Sequence, residues 1–224
     1  MKISEKKKLK KFFWALPVIA AIFILIILLL LYKPPGSSPP AVIEEEYISD
    51  YLTNVLSPKF YNGLGSRQPF ELDVSQKGIN HTITHSEWPK ETDGVRFFAP
   101  NVFFVPGNIV LIGTIVLNGL ELVVTVVVEP SLDSQGLLNL KVKHVKVGAL
   151  TITTIAKLIA EKIYKKQTGE EKGDKNDLET QIAASLLNNK PFEPIFEFDK
   201  KKVRINKITL EQKQLTVSFV PVAN

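Results

Sequence analysis

The chain has 224 residues, no cysteine and a formal charge of +5. That length suits one domain with appendages, and the missing cysteine excludes a disulfide framework, a thiol nucleophile, an iron–sulfur cluster and a cysteine-linked lipid anchor. The charge sits at one end: residues 1–33 hold seven lysines against one glutamate, which leaves −1 for the rest, so a basic face for nucleic acid on the folded part has no support in its net charge.

The chain begins with a basic tail, residues 1–11, and continues into Phe12–Tyr32, which is 21 residues long and has no charge. At ~1.5 Å per residue such a helix spans roughly 31 Å, about one hydrocarbon core. Phe12, Phe13 and Trp14 at one end and Tyr32 at the other suit the two interfaces. A cleaved signal peptide would have an apolar region of about 7–15 residues and a small-x-small exit. This run is longer and leads into Lys33-Pro34-Pro35. It reads as a retained single-pass transmembrane anchor. Six lysines before it and one after it place the N-terminus in the cytoplasm and the rest outside. Residues 33–41 are a Pro/Ser-rich tether whose "PPGSSPP" would reach roughly 20 Å in polyproline II form. Residues 42–224 then form an extracytoplasmic domain held close to the outer leaflet.

That domain opens with a predicted helix, Ala41–Leu56. Ile48, Tyr51, Leu52, Val55 and Leu56 share one face, Glu44–Glu46 suit the first turn, and Pro58 ends it. Strands follow. Phe70–Gln76 alternates, "KGIN" turns, and Ile79–His85 pairs back; Val95–Val105 is a strand broken at Pro100. Asn118-Gly119 is a strong hairpin signal between Ile109–Leu117 and Leu120–Val128. The next strand has Leu138, Leu140 and Val142 on one parity, then Val145 and Val147 on the other. This predicts a β-bulge at Lys143-His144. A second helix, about Thr151–Lys166, carries Ile152, Ile155, Ala156, Ile159 and Ile163 as its apolar stripe. Gln167–Lys175 is a polar loop, and Asn176–Asn188 a third helix with Asn176 and Glu179 at capping-box spacing. Strands Ile195–Phe198, Val203–Ile208 and Leu215–Val220 close the chain. The class is α+β, with a largely antiparallel meander.

A half-buried strand should alternate apolar with polar, and this hairpin does not. Pairing Leu117 with Leu120 puts Ile109, Leu111, Gly113, Ile115 and Leu117 beside Leu120, Leu122, Val124, Val126 and Val128, without one polar side chain. The opposite face, Val110, Ile112, Thr114 and Val116 beside Glu121, Val123, Thr125 and Val127, is mixed but too apolar to be simply wet. Two explanations stand. Both faces are covered, by a second sheet and by helices; or a curved sheet wraps an amphipathic helix and leaves a groove for acyl chains. Ile152, Ile155 and Ile159 would then supply the helical wall. Each buried methylene is worth about 0.8 kcal/mol, so a chain could be held without a polar contact.

No G-x-S-x-G, P-loop or dinucleotide fingerprint occurs. His81 and His85 have zinc spacing only on a helix; on the predicted strand they lie about 13 Å apart and share no ion. No catalytic residue, metal site or cofactor is expected, and the chain reads as non-enzymatic. Asn80-His81-Thr82 fits a glycosylation sequon, which matters only in a eukaryotic secretory path.

The order of the basic-apolar N-terminus, "ISDYL" (Ile48–Leu52), "LIGTIVLNGLELVVTVVVEP" (Leu111–Pro130), "DSQGLLNL" (Asp133–Leu140), "VKVGAL" (Val145–Leu150) and "VRI…LTVSF" (Val203–Phe219) resembles the YpmS-like family of bacterial single-pass membrane proteins. More distantly it is similar to the LmeA-like phospholipid-binding proteins. The resemblance covers roughly residues 42–221. It departs in the longer Pro58–Pro106 segment and the Gln167–Lys175 loop. It implies a TULIP-like domain, in which a curved antiparallel sheet enfolds amphipathic helices, and a lipid-binding or lipid-transfer role in the bacterial cell envelope. The membrane and lipid acyl chains are then the expected partners. The alternative is a β-rich scaffold that binds an envelope protein.

Overall fold

The computed structural model describes residues 21–35, 37, 38, 49–92, 94–168 and 178–222. The basic tail, residues 12–20 of the expected span, residues 39–48 with Glu44–Glu46, and residues 169–177, which hold most of the expected Gln167–Lys175 loop and the Asn176 cap, lie outside them. Among the described residues no helix is long and apolar enough to cross a membrane. Residues 21–30 of the expected span are helical and form α1.

The fold is α+β, built on two antiparallel sheets. The smaller sheet contains β1 (Phe70–Ser75), β9 (Ile195–Phe198), β10 (Lys201–Glu211) and β11 (Gln214–Val222), in the order β1-β11-β10-β9. The larger runs β2-β3-β5-β6-β7-β8: β2 (Lys90–Thr92), β3 (Val95–Phe97), β5 (Asn108–Leu117), β6 (Leu120–Leu132), β7 (Leu138–Val147) and β8 (Leu150–Thr151). β4 (Asn101–Val105) also pairs with β5, after the break at Pro100.

The hairpin has the expected register, Leu117 opposite Leu120 through to Ile109 opposite Val128. Asn118 at φ 50° and Gly119 at φ 79° both take the left-handed backbone that a two-residue primed turn needs. The bulge also falls where the parity slips: His144 faces Val127 and Val142 faces Val128, so Lys143 is the extra residue.

Two expectations for the helices fail. Pro58 does not end the first helix. The helix α2 is π-helical over Leu52–Leu56 and continues as an α-helix over Ser57–Ser66, with Pro58 in the first turn of that second part. Pro58 therefore sits inside a continuous helix without an N–H for the preceding turn, and the wider π turn before it accommodates the ring. Nor is Ile79–His85 a strand. Gln76–Thr84 is α3, whose N-cap Ser75 accepts a hydrogen bond from the Gly78 amide at 3.0 Å.

α2 lies across the smaller sheet. Leu64 packs with Val203 and Phe219, and Phe60 meets Phe70, Phe198 and Phe219 edge-on. A second buried cluster, Leu56, Val74, Val102, Phe104 and Leu210, joins α2 and both sheets, with Ile109 and Leu111 packed against it. α3 covers the free edge of β4. The Asn80 side chain accepts from the Val102 amide at 2.7 Å and donates to the Val102 carbonyl at 2.8 Å, while Gln76 Oε1 accepts from the Phe104 amide at 3.0 Å. Residues i and i+4 of one helix thus do the work of a missing strand. α4 (Thr153–Thr168) and α5 (Leu178–Asn188) follow β8 and rest on β7. Ser185 of α5 is fully buried and accepts from the Leu140 amide at 2.7 Å.

Candidate functional site

The two faces of the β5–β6 hairpin have different covers. The mixed face is covered by the tether, which is not the free spacer its composition predicts. Lys33 Nζ reaches Glu121 Oε1 at 2.8 Å, Thr114 Oγ1 donates to the Ser37 carbonyl at 3.3 Å, and Asn101 Nδ2 donates to the Ser38 carbonyl at 3.0 Å. Ser37 and Thr114 are both buried. Within the tether the Ser37 amide donates to the Pro34 carbonyl at 3.2 Å, and the Ser37 and Ser38 carbonyls are left to accept from the sheet.

The apolar face changes along its length. At one end Val128 is buried and Ile109 packs into the core. At the other end Leu117 and Leu120 are exposed. Between them lies an open hollow of about 260 Å³, lined by Leu111, Gly113, Ile115, Val124 and Val126 from the hairpin, with Trp88, Phe97, Phe98 and Pro100 around it. Phe97 shares this face because it pairs directly with Ile115. Gly113 forms part of the floor: a Cβ there would touch only Pro100, at 3.6 Å. The indole N–H of Trp88 is buried and has no hydrogen-bond partner among the described residues. Lys90 Nζ lies 5.3 Å from the Trp88 ring centroid.

The structure therefore brings together five of the ten hairpin residues expected to line a groove. Leu122 is half-buried near the tip, and Leu117 and Leu120 stand beyond the hollow. Ile152, Ile155 and Ile159 do not line it. Ile152 precedes α4, and Ile155 and Ile159 point outward from the domain. Helical periodicity identifies an apolar stripe but not the medium it faces. Sequence reasoning also missed the aromatic rim. Trp88, Phe97 and Phe98 come from short strands and loops with no clear period; the β3–β5 pairing sets Phe97 opposite Ile115, and the Phe98 amide donates to the Thr114 carbonyl at 2.9 Å.

His81 and His85 need a correction too. On α3 they are one turn apart, with ring centroids at 4.2 Å rather than about 13 Å. His81 Nδ1 is bonded to Ser49 Oγ at 2.9 Å, and His85 Nδ1 to the His81 carbonyl at 2.7 Å. Among the described residues no group of three potential metal ligands gathers.

No known family, no curated protein and no solved structure matches the chain.

Proposed function

We propose that this protein is a membrane-anchored, extracytoplasmic lipid-binding module of the bacterial cell envelope, non-enzymatic, with the β5–β6 hollow as its acyl-chain site. The observation that carries the reading is the apolar face itself: continuous, partly uncovered and hollow at its centre. A 260 Å³ hollow lies below the roughly 300–1,000 Å³ of a drug-sized pocket, so it suits part of one acyl chain rather than a whole lipid. Burying six methylenes there would be worth about 5 kcal/mol.

The anchor belongs to the same proposal. In α1, Ile22 through Leu28 are all apolar and all exposed. A helix apolar on every side calls for an apolar medium, and with residues 12–20 it makes a run of membrane-spanning length. Lys33 at Glu121 then sets the hairpin tip beside the point where the chain leaves the bilayer. Exposed Leu120 and Leu117 would form the path from leaflet to hollow. The resemblance to LmeA-like proteins implies a sheet that enfolds helices, whereas the hollow here is walled by the hairpin and the aromatic rim, with no helix in its lining. An envelope-protein scaffold would need no hollow, so the hollow favours the lipid reading.

Native mass spectrometry and lipid extraction test this on a chain beginning at Lys33, which keeps the docked tether, purified without detergent. A stoichiometric co-purified lipid is the expected result. A clean apo mass, with no uptake from added liposomes, would overturn the proposal.

A further inference from the structure

α4 is mounted inside out. Among its described side chains, Thr153–Glu161, the half-buried positions are Thr153, Ala156, Lys157 and Glu161; the side chain of Ile163 lies outside the described residues. The large apolar residues among them face away from the domain: Ile155 is 58 % exposed, Leu158 63 % and Ile159 53 %. Their spacing of three and four residues puts them on one stripe. A water-facing surface helix has the opposite arrangement.

The position of the helix identifies what covers that stripe. The Ala149 amide donates to the Leu29 carbonyl at 2.8 Å, so the turn between β7 and β8 is fastened to the last turn of α1. α4 starts four residues after that contact, at Thr153. Ile155 lies six residues from Ala149, so even a fully extended chain puts it within roughly 20 Å of the end of α1. If the apolar run spans the bilayer, Leu29 is near its outer boundary, and α4 cannot stand far from the headgroups. The charge fits as well, because α4 carries four lysines against one glutamate, the composition that favours an anionic lipid surface.

We propose that α4 is an interfacial helix, with Ile155, Leu158 and Ile159 inserted into the outer leaflet as a second membrane attachment beside α1. The proposal rests on the anchor reading above. It does not depend on the hollow. Two attachments would stop the domain swinging on its anchor and hold the hairpin tip against the leaflet.

The absence of cysteine makes the test direct. Leu158→Cys and, separately, Ile24→Cys are introduced into the full chain, labelled with an environment-sensitive fluorophore and placed in nanodiscs of phosphatidylglycerol and phosphatidylcholine with spin-labelled acyl chains. The expected result is a blue shift and quenching at both positions. Quenching at position 24 without quenching at 158 would overturn the interfacial helix and leave the anchor standing. In a separate unlabelled sample of the Leu158→Cys chain, an intermolecular disulfide, with position 158 unquenched in the labelled sample, would overturn it too, by assigning the stripe to a second copy. Quenching at neither position would overturn the anchor and the interfacial helix together. Both substitutions are at exposed sites, and an unchanged circular dichroism spectrum verifies the fold.

Discussion

The amide of Ala149 and the carbonyl of Leu29 lie 2.8 Å apart, joining residues far apart in sequence at the end of α1. Gly148 makes this approach feasible. Its φ of +57° is left-handed, and an added Cβ would lie 2.3 Å from the Leu29 carbonyl oxygen and 2.4 Å from that of Leu30. Both obstacles are backbone, so neither can swing aside. The left-handed conformation alone costs a β-carbon residue roughly 1–2 kcal/mol. Gly148→Val should therefore release α1 from the turn while the sheets stay folded. Lys33 and Glu121, paired at 2.8 Å, give the readout. A zero-length carbodiimide should couple them in the wild-type chain, and the coupling should be lost in Gly148→Val. Equal coupling in both would mean that the tether holds without the turn.

Gly113 offers the complementary experiment at the hollow. Its backbone is not left-handed, and its only neighbour on the Cβ side is Pro100 at 3.6 Å. A leucine there would fill the hollow rather than strain the strand. Gly113→Leu should change stability by no more than about 1 kcal/mol and weaken acyl binding by at least about tenfold. The chain has two tryptophans, so Trp14→Phe leaves Trp88, on the rim, as the sole reporter. A fatty acid brominated along its chain should quench Trp88 saturably, and Gly113→Leu should abolish the saturable part. Undiminished quenching in that variant would place the lipid elsewhere.

Gly78 answers to packing alone. A Cβ on it would meet the Tyr51 ring at 2.3 Å, and that ring is fixed because the Tyr51 hydroxyl accepts from the Ser75 amide at 2.8 Å. Gly78→Ala would normally favour a helix. Here overpacking should win, with a net loss of about 1–3 kcal/mol in urea denaturation. Tyr51→Leu should recover part of that loss by removing the obstacle. A stabilised Gly78→Ala would show that α3 can shift from α2.

What could be read from the sequence followed from how local the determinants are. Leu117-Asn118-Gly119-Leu120 contains its own turn and register, and the Lys143 bulge is written in the parity of its neighbours; both appear as expected. α3 was misread because Gly78 resembles a turn residue and the threonines around Ile83 resemble a strand. Ile79 and Ile83, four apart, carried the helical period, and both pack on the core. The docked tether had no such signal. Its partner Thr114 is 77 residues from Ser37, and the hydrogen bond is to a carbonyl that every residue has. The hairpin half of the site was legible because a sheet face is a period-two pattern. The aromatic half was not, because it depends on which strand comes to pair with β5.

The last prediction concerns the edge of β4, where Asn80 uses both ends of its amide on Val102. Asn80→Ala would leave a part-buried N–H and C=O without partners, which costs about 1–3 kcal/mol for each group that water cannot reach. Asn80→Asp is more informative. The introduced carboxylate can still accept from the Val102 amide, but it cannot donate to the Val102 carbonyl. Its charged form meets a carbonyl oxygen at hydrogen-bond distance, so folding should raise its pKa above the unfolded value. The folded variant then binds more protons than the unfolded one. Relative to wild type, its stability should rise as the pH falls through the carboxylate range and drop as the pH rises. A difference that does not vary with pH would mean that Asn80 and Val102 have separated and that water has filled the edge.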